Sequence, residues 1–326
     1  MTRVTSTKLL RKLAQVVLVL LGTITLNFFL LRLAPGDAVD VLVGEMGAAS
    51  PEYIAALRQQ FGLDQPLWMQ YLKYLWELLH LDLGHSFRYD QSILSLILER
   101  TPATLLLMMT SLGLAVSVGC ILGAIAARHS GRWPDLLIST LSMLFHATPL
   151  FWVGLMLIVA FAIEWAWLPI GGMFEIRGAG SFWGTCLDLM QHLILPTVTL
   201  GLFYLGVYVR LMRATLLEIS EQDYLRTAVS KGLSKGRIFR RHMLRNAWLP
   251  VVTMLGTQVA SVLSGSVLVE TVFSWPGLGR LAYDALFSRD LNLLLGILLF
   301  CTVLVLMINF VVDGIYQAID PRIEAN

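Results

Sequence analysis

The chain has 326 residues, of which 56% are hydrophobic and only 14% charged, and its mean hydropathy is +0.71. A soluble domain carries about 25% charged residues, so a soluble enzyme core is excluded and an all-α polytopic membrane protein is indicated. The formal net charge of +2 gives no footing for a nucleic-acid partner.

A helix needs about 20 mostly apolar residues to cross ~30 Å of hydrocarbon. Six segments reach that length: 13–31, 103–127, 136–165, 189–217, 248–272 and 291–316. Lys8, Arg11 and Lys12 precede the first. Its apolar run exceeds that of a signal peptide and no small-residue cleavage site follows, so it is expected to stay as an uncleaved span. Lys and Arg gather in the N-terminal tail, at Arg128 and Arg132, between 226 and 245, and at Arg322; the opposite connections hold fewer. By the positive-inside rule both termini face the cytoplasm. The expected location is the bacterial inner membrane, crossed several times and in contact with lipid.

Three domains are expected: residues 1–33 as tail and first span, 34–100 as a helical insertion on the outer face, and 101–326 as the membrane core. In the insertion, Ser50, Pro51 and Glu52 suit a helix start and Gly62 a stop. A second helix is expected from Pro66, with Leu67, Tyr71, Leu75 and Leu78 on one side. Residues 81–87 form a turn. This layer is acidic (Asp37, Asp40, Glu45, Glu52, Asp64, Glu77, Asp82, Asp90, Glu99). It reads equally as a docking surface and as a solvated cap.

Within the spans, Pro149 and Pro196 allow kinks where protein covers the freed backbone. Gly119 and Gly123 form a GxxxG pair that permits close helix contact. Ionisable groups are few: His146, Glu164, Arg210, Arg213, Glu270 and Asp313. Such groups are functional candidates by default. Most lie near span ends, where interfacial anchoring is the plainer reading. His146, just before Pro149, suits a pore-lining role or an interhelical hydrogen bond. Phe273, Trp275, Pro276 and Gly277 mark a turn, with aromatic rings suited to headgroup level. His146, Pro149, Glu270, Trp275, Pro276 and Gly277 are the candidate pathway or gate residues.

The segment 220–246 stands apart, because it is polar and basic between two spans. Ser220 with Asp223 reads as a capping box. Tyr224, Leu225, Ala228 and Val229 recur at helical spacing, Gly232 stops the helix, and Ser234 opens a second one with Ile238, Phe239 and Met243 inward. The first helix exposes Arg226, Thr227 and Lys231. A lipid-attracted surface, an elbow and a docking element all fit. The caps favour docking, since lipid attraction needs only charge.

No phosphate loop, HExxH or GxSxG occurs, so no catalytic residue is assigned. Cys120, Cys186 and Cys301, without a CxxC pair, read as packing residues, and no metal site is expected.

Several stretches together resemble the inner-membrane permease subunits of ATP-binding-cassette importers for dipeptides, oligopeptides and nickel. They are residues 31–37, 61–67, 81–87, 99–104, 223–233, 242–246, 269–280 (VETVFSWPGLGR), 289–290 and 320–322. The resemblance implies that 220–246 holds the coupling helix that docks on a separate ATPase. Asp223, Tyr224, Arg226, Thr227, Ala228, Lys231, Gly232, Leu233 and Ser234 would make the contact. Arg237, His242, Arg245 and Asn246 would carry movement into the fifth span. It also implies a second homologous permease, one or two ATPases that bind ATP and Mg2+, and an external solute-binding protein. This chain itself would hold no cofactor and perform no catalysis. Arg226-Thr227-Ala228 stands where the wider superfamily has Glu-Ala-Ala, and Ala38 and Leu291-Asn292 also depart from the usual pattern. Peptides are the first expected cargo, and nickel or a metal–chelator complex the second. A channel or secondary carrier without an ATPase, or a bare membrane anchor, are the readings of another class.

Overall fold

The structure, a computed structural model, describes residues 2–33, 50–60, 64–86, 88–175 and 181–319. Expectations placed on 34–49, Phe61, Gly62, Phe87 and 320–322 lie outside the described residues. Two compact units emerge: residues 1–99 with 284–306, and residues 100–283 with 307–326.

In the first unit α1 (Thr2–Leu33) is followed by α2 (Pro51–Gln60) and α3 (Leu67–Leu79). The Ser50 hydroxyl accepts from the Tyr53 amide at 3.3 Å, as an N-cap does. α3 turns Tyr71, Tyr74, Leu75 and Leu78 inward but leaves Leu67 exposed. Leu67 is its first residue, one turn short of the packed face. A two-stranded antiparallel hairpin, β1 (His85–Ser86) with β2 (Gln91–Ser92), interrupts the helices. Here the Ser86 hydroxyl donates to Asp290 at 2.6 Å. Asn27 reaches across to the Leu295 carbonyl.

The remaining elements are α4 (Ile93–Arg128), α5 (Trp133–Ala147), α6 (Leu150–Leu157, prolonged by a π-helical turn to Glu164), α7 (Phe182–Ser220), α8 (Asp223–Ser230) and α9 (Lys235–Ile238). After a π-helical turn over 239–243 come α10 (Leu244–Val272), α11 (Leu278–Phe287) and α12 (Leu291–Ile319). Among the described residues five helices are long and apolar enough to cross a membrane, six if one bent pair counts as a span. Cys186 falls inside α7, not in a connection.

The bent pair corrects the expectation of one straight span over 136–165. α5 and α6 meet at 102° across Thr148-Pro149. Pro149, at ψ 130, starts a new helix rather than kinking an old one.

Packing around α7 nevertheless carries the pair onward. Antiparallel to α7, Asp135 meets Arg213, Gly206 lies against Ser142, and His146 meets Phe203. Past the bend Leu150 lies beside Gly265, and Gly154 lies against Thr199, Val272 and Phe273. The Gly172 amide then donates to the Phe273 carbonyl at 2.8 Å. The pair thus climbs from one end of α7 to the far end of α10, as a broken crossing does and a re-entrant loop does not. α4 runs parallel to α7, with Thr110 on Thr197, and Gly119 and Gly123 seated against Leu205, Tyr208 and Val209. α10 runs antiparallel, with the Tyr204 hydroxyl donating to Ser261. α7 is therefore the axis of this unit. This explains its buried Tyr204, Tyr208, Met212 and Leu216.

Candidate coupling site and outer gate

The segment after α7 is a helix–turn–helix. α7 runs through Ser220, whose hydroxyl donates back to the Leu217 carbonyl. The N-cap of α8 is Gln222, without a side-chain cap. The capping box read at Ser220 is therefore corrected: the preceding helix has already claimed that residue. α8 then buries Leu225 and Ala228 against Ile238, with Ile219, Leu233 and Met243 around them. Tyr224 and Val229, which recur with them at helical spacing, are exposed. They sit one residue to either side of the narrow stripe an eight-residue helix can bury. Asp223, Arg226, Thr227 and Lys231 point outward, and Arg226 pairs loosely with Asp223 at 3.4 Å.

Gly232 has φ +74 and its amide donates to Val229. This left-handed turn reverses the chain without the Cβ clash other residues suffer. The Leu233 amide closes on Ala228, and the Ser234 carbonyl receives the amides of Arg237 and Ile238. From there the helix is continuous through the π turn into α10. Arg237, Arg245 and Asn246 are exposed and His242 is half-buried. Asn246 donates to the Tyr224 hydroxyl at 2.9 Å and so ties the root of α10 to α8. Arg128, ending α4, lies over the Phe239 ring at 5.1 Å.

A short step away, Asp135 accepts both Nε and Nη2 of Arg213, at 2.5 and 2.8 Å, and also the Gly131 amide and the Ser139 hydroxyl. Arg213 read as a membrane anchor is corrected: it is half of a bidentate ion pair. Asp135 was not among the candidates. Its signal is an acid just inside a helix that starts at the basic end of the spans, level with an arginine on another span.

At the far end of the unit, Glu270 and Trp275 depart from the sequence reading. Glu270, Phe273 and Trp275 are all buried within the protein, so neither Glu270 nor Trp275 presents its side chain to lipid as an anchor would. One Glu270 oxygen accepts from Thr104 Oγ1 at 2.8 Å, the other from the Arg280 amide at 3.0 Å. Thr104 in turn accepts from the Leu278 amide. Trp275 donates from Nε1 to the Ala103 carbonyl at 2.9 Å. Gly277 and Gly279 press on the carboxylate, with no room for a Cβ. Pro276, between Trp275 and Gly277 in the chain, is half-buried. The run from Phe273 to Arg280 is thus a clasp that fastens the end of α10 to the start of α4. Partner satisfaction is what lets a carboxylate sit there. His146 lies elsewhere, donating from Nδ1 to the Phe203 carbonyl at 3.0 Å, which is the interhelical bond. Pro149, at the bend, is exposed. The six pathway or gate candidates thus divide between a clasp (Glu270, Trp275, Pro276, Gly277) and a bend (His146, Pro149).

A bundle of membrane spans with a polar helix–glycine–helix exposed between two of them is the frame in which the comparisons with known proteins fall. The chain belongs to the family described as binding-protein-dependent transport system inner membrane component, matched over residues 119–325. The N-terminal companion of that family matches residues 6–108. It is a multi-pass inner-membrane permease subunit of an ATP-binding-cassette importer, without catalytic function of its own. The chain is 37% identical over 97% of its length, and 98% of the relative's, to the dipeptide transport system permease protein DppB of Escherichia coli (strain K12). It is 38% identical over 96% of its length, and 97% of the relative's, to the di/tripeptide transport system permease protein DppB of Pseudomonas aeruginosa (strain UCBPP-PA14). Its fold is similar to a chain of the inward-facing MetNI methionine ABC transporter in the CY5 native crystal form. There the TM-score is 0.56 at 17% identity, over 70% of this chain and 97% of the other.

Proposed function

We propose that this permease moves di- and tripeptides inward through a pore completed by a second homologous permease. One or two ATPase subunits, holding ATP and Mg2+, dock on α8 and the Gly232 turn, and a solute-binding protein delivers cargo on the other side. Residues 1–33, 34–100 and 101–326 act as anchor, outer layer and translocating core. Both termini face the cytoplasm.

The cargo reading is supported by the two peptide permeases related over nearly the whole chain. Nickel or a metal–chelator complex draws no support from them. The mechanical reading is carried by one observation. α8 exposes Arg226, Thr227 and Lys231, while Leu225 and Ala228 fix it to Ile238 on the helix that becomes α10. A push on α8 therefore reaches α10 through packed side chains and the Tyr224–Asn246 bond. The clasp of Glu270 and Trp275 stands at the other end of that same helix, placed to hold or release the outer ends of α4 and α10.

The test is uptake into vesicles holding the assembled importer, with ATP inside the cytoplasm-equivalent compartment and the solute-binding protein outside. Labelled di- and tripeptides should accumulate only with ATP. Accumulation of nickel but not peptide, or peptide flux with no ATPase present, would overturn the reading.

A further inference from the structure

The helix α3 has two apolar faces and one narrow polar edge. Tyr71, Tyr74, Leu75 and Leu78 turn toward α1. The Tyr71 hydroxyl shares a hydrogen bond with Thr25 at 2.7 Å, and the Phe28 ring meets Tyr71 at 5.2 Å and Tyr74 at 6.0 Å. Beside this packed face, one step further round the helix, lie Trp68, Leu72, Trp76 and Leu79, exposed by 61%, 55%, 65% and 78%. Lys73, Glu77 and His80 fall together on the remaining arc, roughly opposite the packed face, with Lys73 and Glu77 paired at 3.9 Å. A helix standing in water would not present two tryptophans and two leucines on an unpartnered side while confining its charge to one edge.

The contacts with α1 supply a depth. The apolar span within α1 is Ala14–Leu33, and Arg32 is the charged residue of its last turn. At 1.5 Å per residue, Phe28 lies about 6 Å and Thr25 about 10 Å below Arg32 along the helix. α3 packs on those two residues, so it sits beside the end of a membrane span rather than above it. Helices that lie in the membrane plane bury their apolar side about 5–10 Å into the boundary between headgroups and acyl chains. Tryptophan, with tyrosine, is enriched at that level.

We propose that α3 is an in-plane membrane helix. Its Trp68–Leu72–Trp76–Leu79 face is covered by lipid acyl chains and headgroup carbonyls, and the Lys73–Glu77–His80 edge meets water. The outer layer of this permease is thereby anchored to the bilayer and is not a purely solvated cap. The assignment holds whatever cargo is carried.

The test uses the full chain with its three cysteines replaced, reconstituted in vesicles of phosphatidylethanolamine and phosphatidylglycerol. A nitroxide is attached after Leu72→Cys, Lys73→Cys or Trp76→Cys. At positions 72 and 76 collision with dissolved oxygen should exceed collision with a water-soluble nickel chelate several-fold, and position 73 should show the reverse. Equal chelate access at 72, 73 and 76 would place the face in water and overturn the proposal. Loss of access to both reagents at 72 and 76 would mean protein covers the face, and would overturn it too. A second measurement leaves the cysteines alone. Quenching of intrinsic fluorescence by lipids brominated near the acyl carbonyl should fall in the Trp68→Phe/Trp76→Phe chain, and unchanged quenching would count against the proposal.

Discussion

Asp135 and Arg213 meet edge to edge, the guanidinium fork laid along both carboxylate oxygens at 2.5 and 2.8 Å. The pair joins the first turn of α5 to the last third of α7, just before α7 leads into the coupling segment. The Asp135 side chain is nearly enclosed, while that of Arg213 is about a third exposed (32%). Breaking a buried pair by removing one partner costs about 3–5 kcal/mol. The exposure of Arg213 lowers the expectation for Asp135→Ala to about 2 kcal/mol. Arg213→Lys should recover only part of that, because an ammonium cannot reproduce the fork. Thermal unfolding in detergent measures both, and equal stability of Asp135→Ala and the parent chain would show that the pair contributes nothing.

Close approach of α4 and α7 yields a sharper contrast. A Cβ on Gly123 would come within 2.6 Å of the Val209 carbonyl oxygen, and one on Gly119 within 2.8 Å of the Tyr208 Cβ. The obstacle is backbone or the first side-chain carbon, which cannot swing aside. Gly123→Ala should therefore destabilise the chain by about 1–3 kcal/mol. Gly113 lies on the same helix with nothing within 4 Å, so Gly113→Ala should be neutral or stabilise by about 0.5–1 kcal/mol. Thermal unfolding of the two variants side by side checks this, and the argument fails if they behave alike.

What the sequence reveals and conceals follows from the range of the forces involved. The spans, the Gly232 turn and the GxxxG contact are legible because hydrophobic length, positive φ and small size act locally. Glu270 and Trp275 are not legible as a clasp. Their partners, Thr104 and Ala103, lie far away in the chain, and a tryptophan beside a proline turn has the composition of an interfacial belt. Ser220 misleads for a related reason: a serine before an acid suits a helix start, yet the preceding helix takes its hydroxyl first. The bend at Pro149 is visible only as a kink, because the extended backbone there depends on the packing of Leu150 and Gly154 against α7 and α10.

The clasp itself can be opened by degrees. Glu270→Ala strands the Thr104 hydroxyl and the Arg280 amide, at about 1–3 kcal/mol for each donor left unmatched. Trp275→Phe removes one hydrogen bond to Ala103 and should cost about 1 kcal/mol. If the clasp holds the outer ends of α4 and α10 together, Trp275→Phe should also raise ATP hydrolysis by the assembled importer in the absence of cargo. A loss of stability without any change in that basal rate would make the cluster purely structural.

Transmission through the coupling segment is the prediction on which the mechanical reading turns. Gly232 occupies a left-handed conformation that costs other residues about 1–2 kcal/mol, and proline cannot adopt its φ of +74 at all. Gly232→Pro should misdirect α8 while leaving the spans inserted. The double variant Arg226→Glu with Lys231→Glu keeps the backbone and reverses two exposed charges, so it addresses the docking surface without disturbing Leu225, Ala228 or Ile238. Both variants should insert normally, as judged by protease protection of the vesicles, yet lose cargo-stimulated ATP hydrolysis and uptake. Tyr224→Phe separates docking from transmission, because it leaves the charged surface intact and removes the acceptor for Asn246. ATPase association measured by co-purification should persist in that variant while uptake falls. Full uptake with Tyr224→Phe would assign transmission to the packed core around Ile238 alone, and full activity in the charge-reversed chain would remove α8 as the point where force enters.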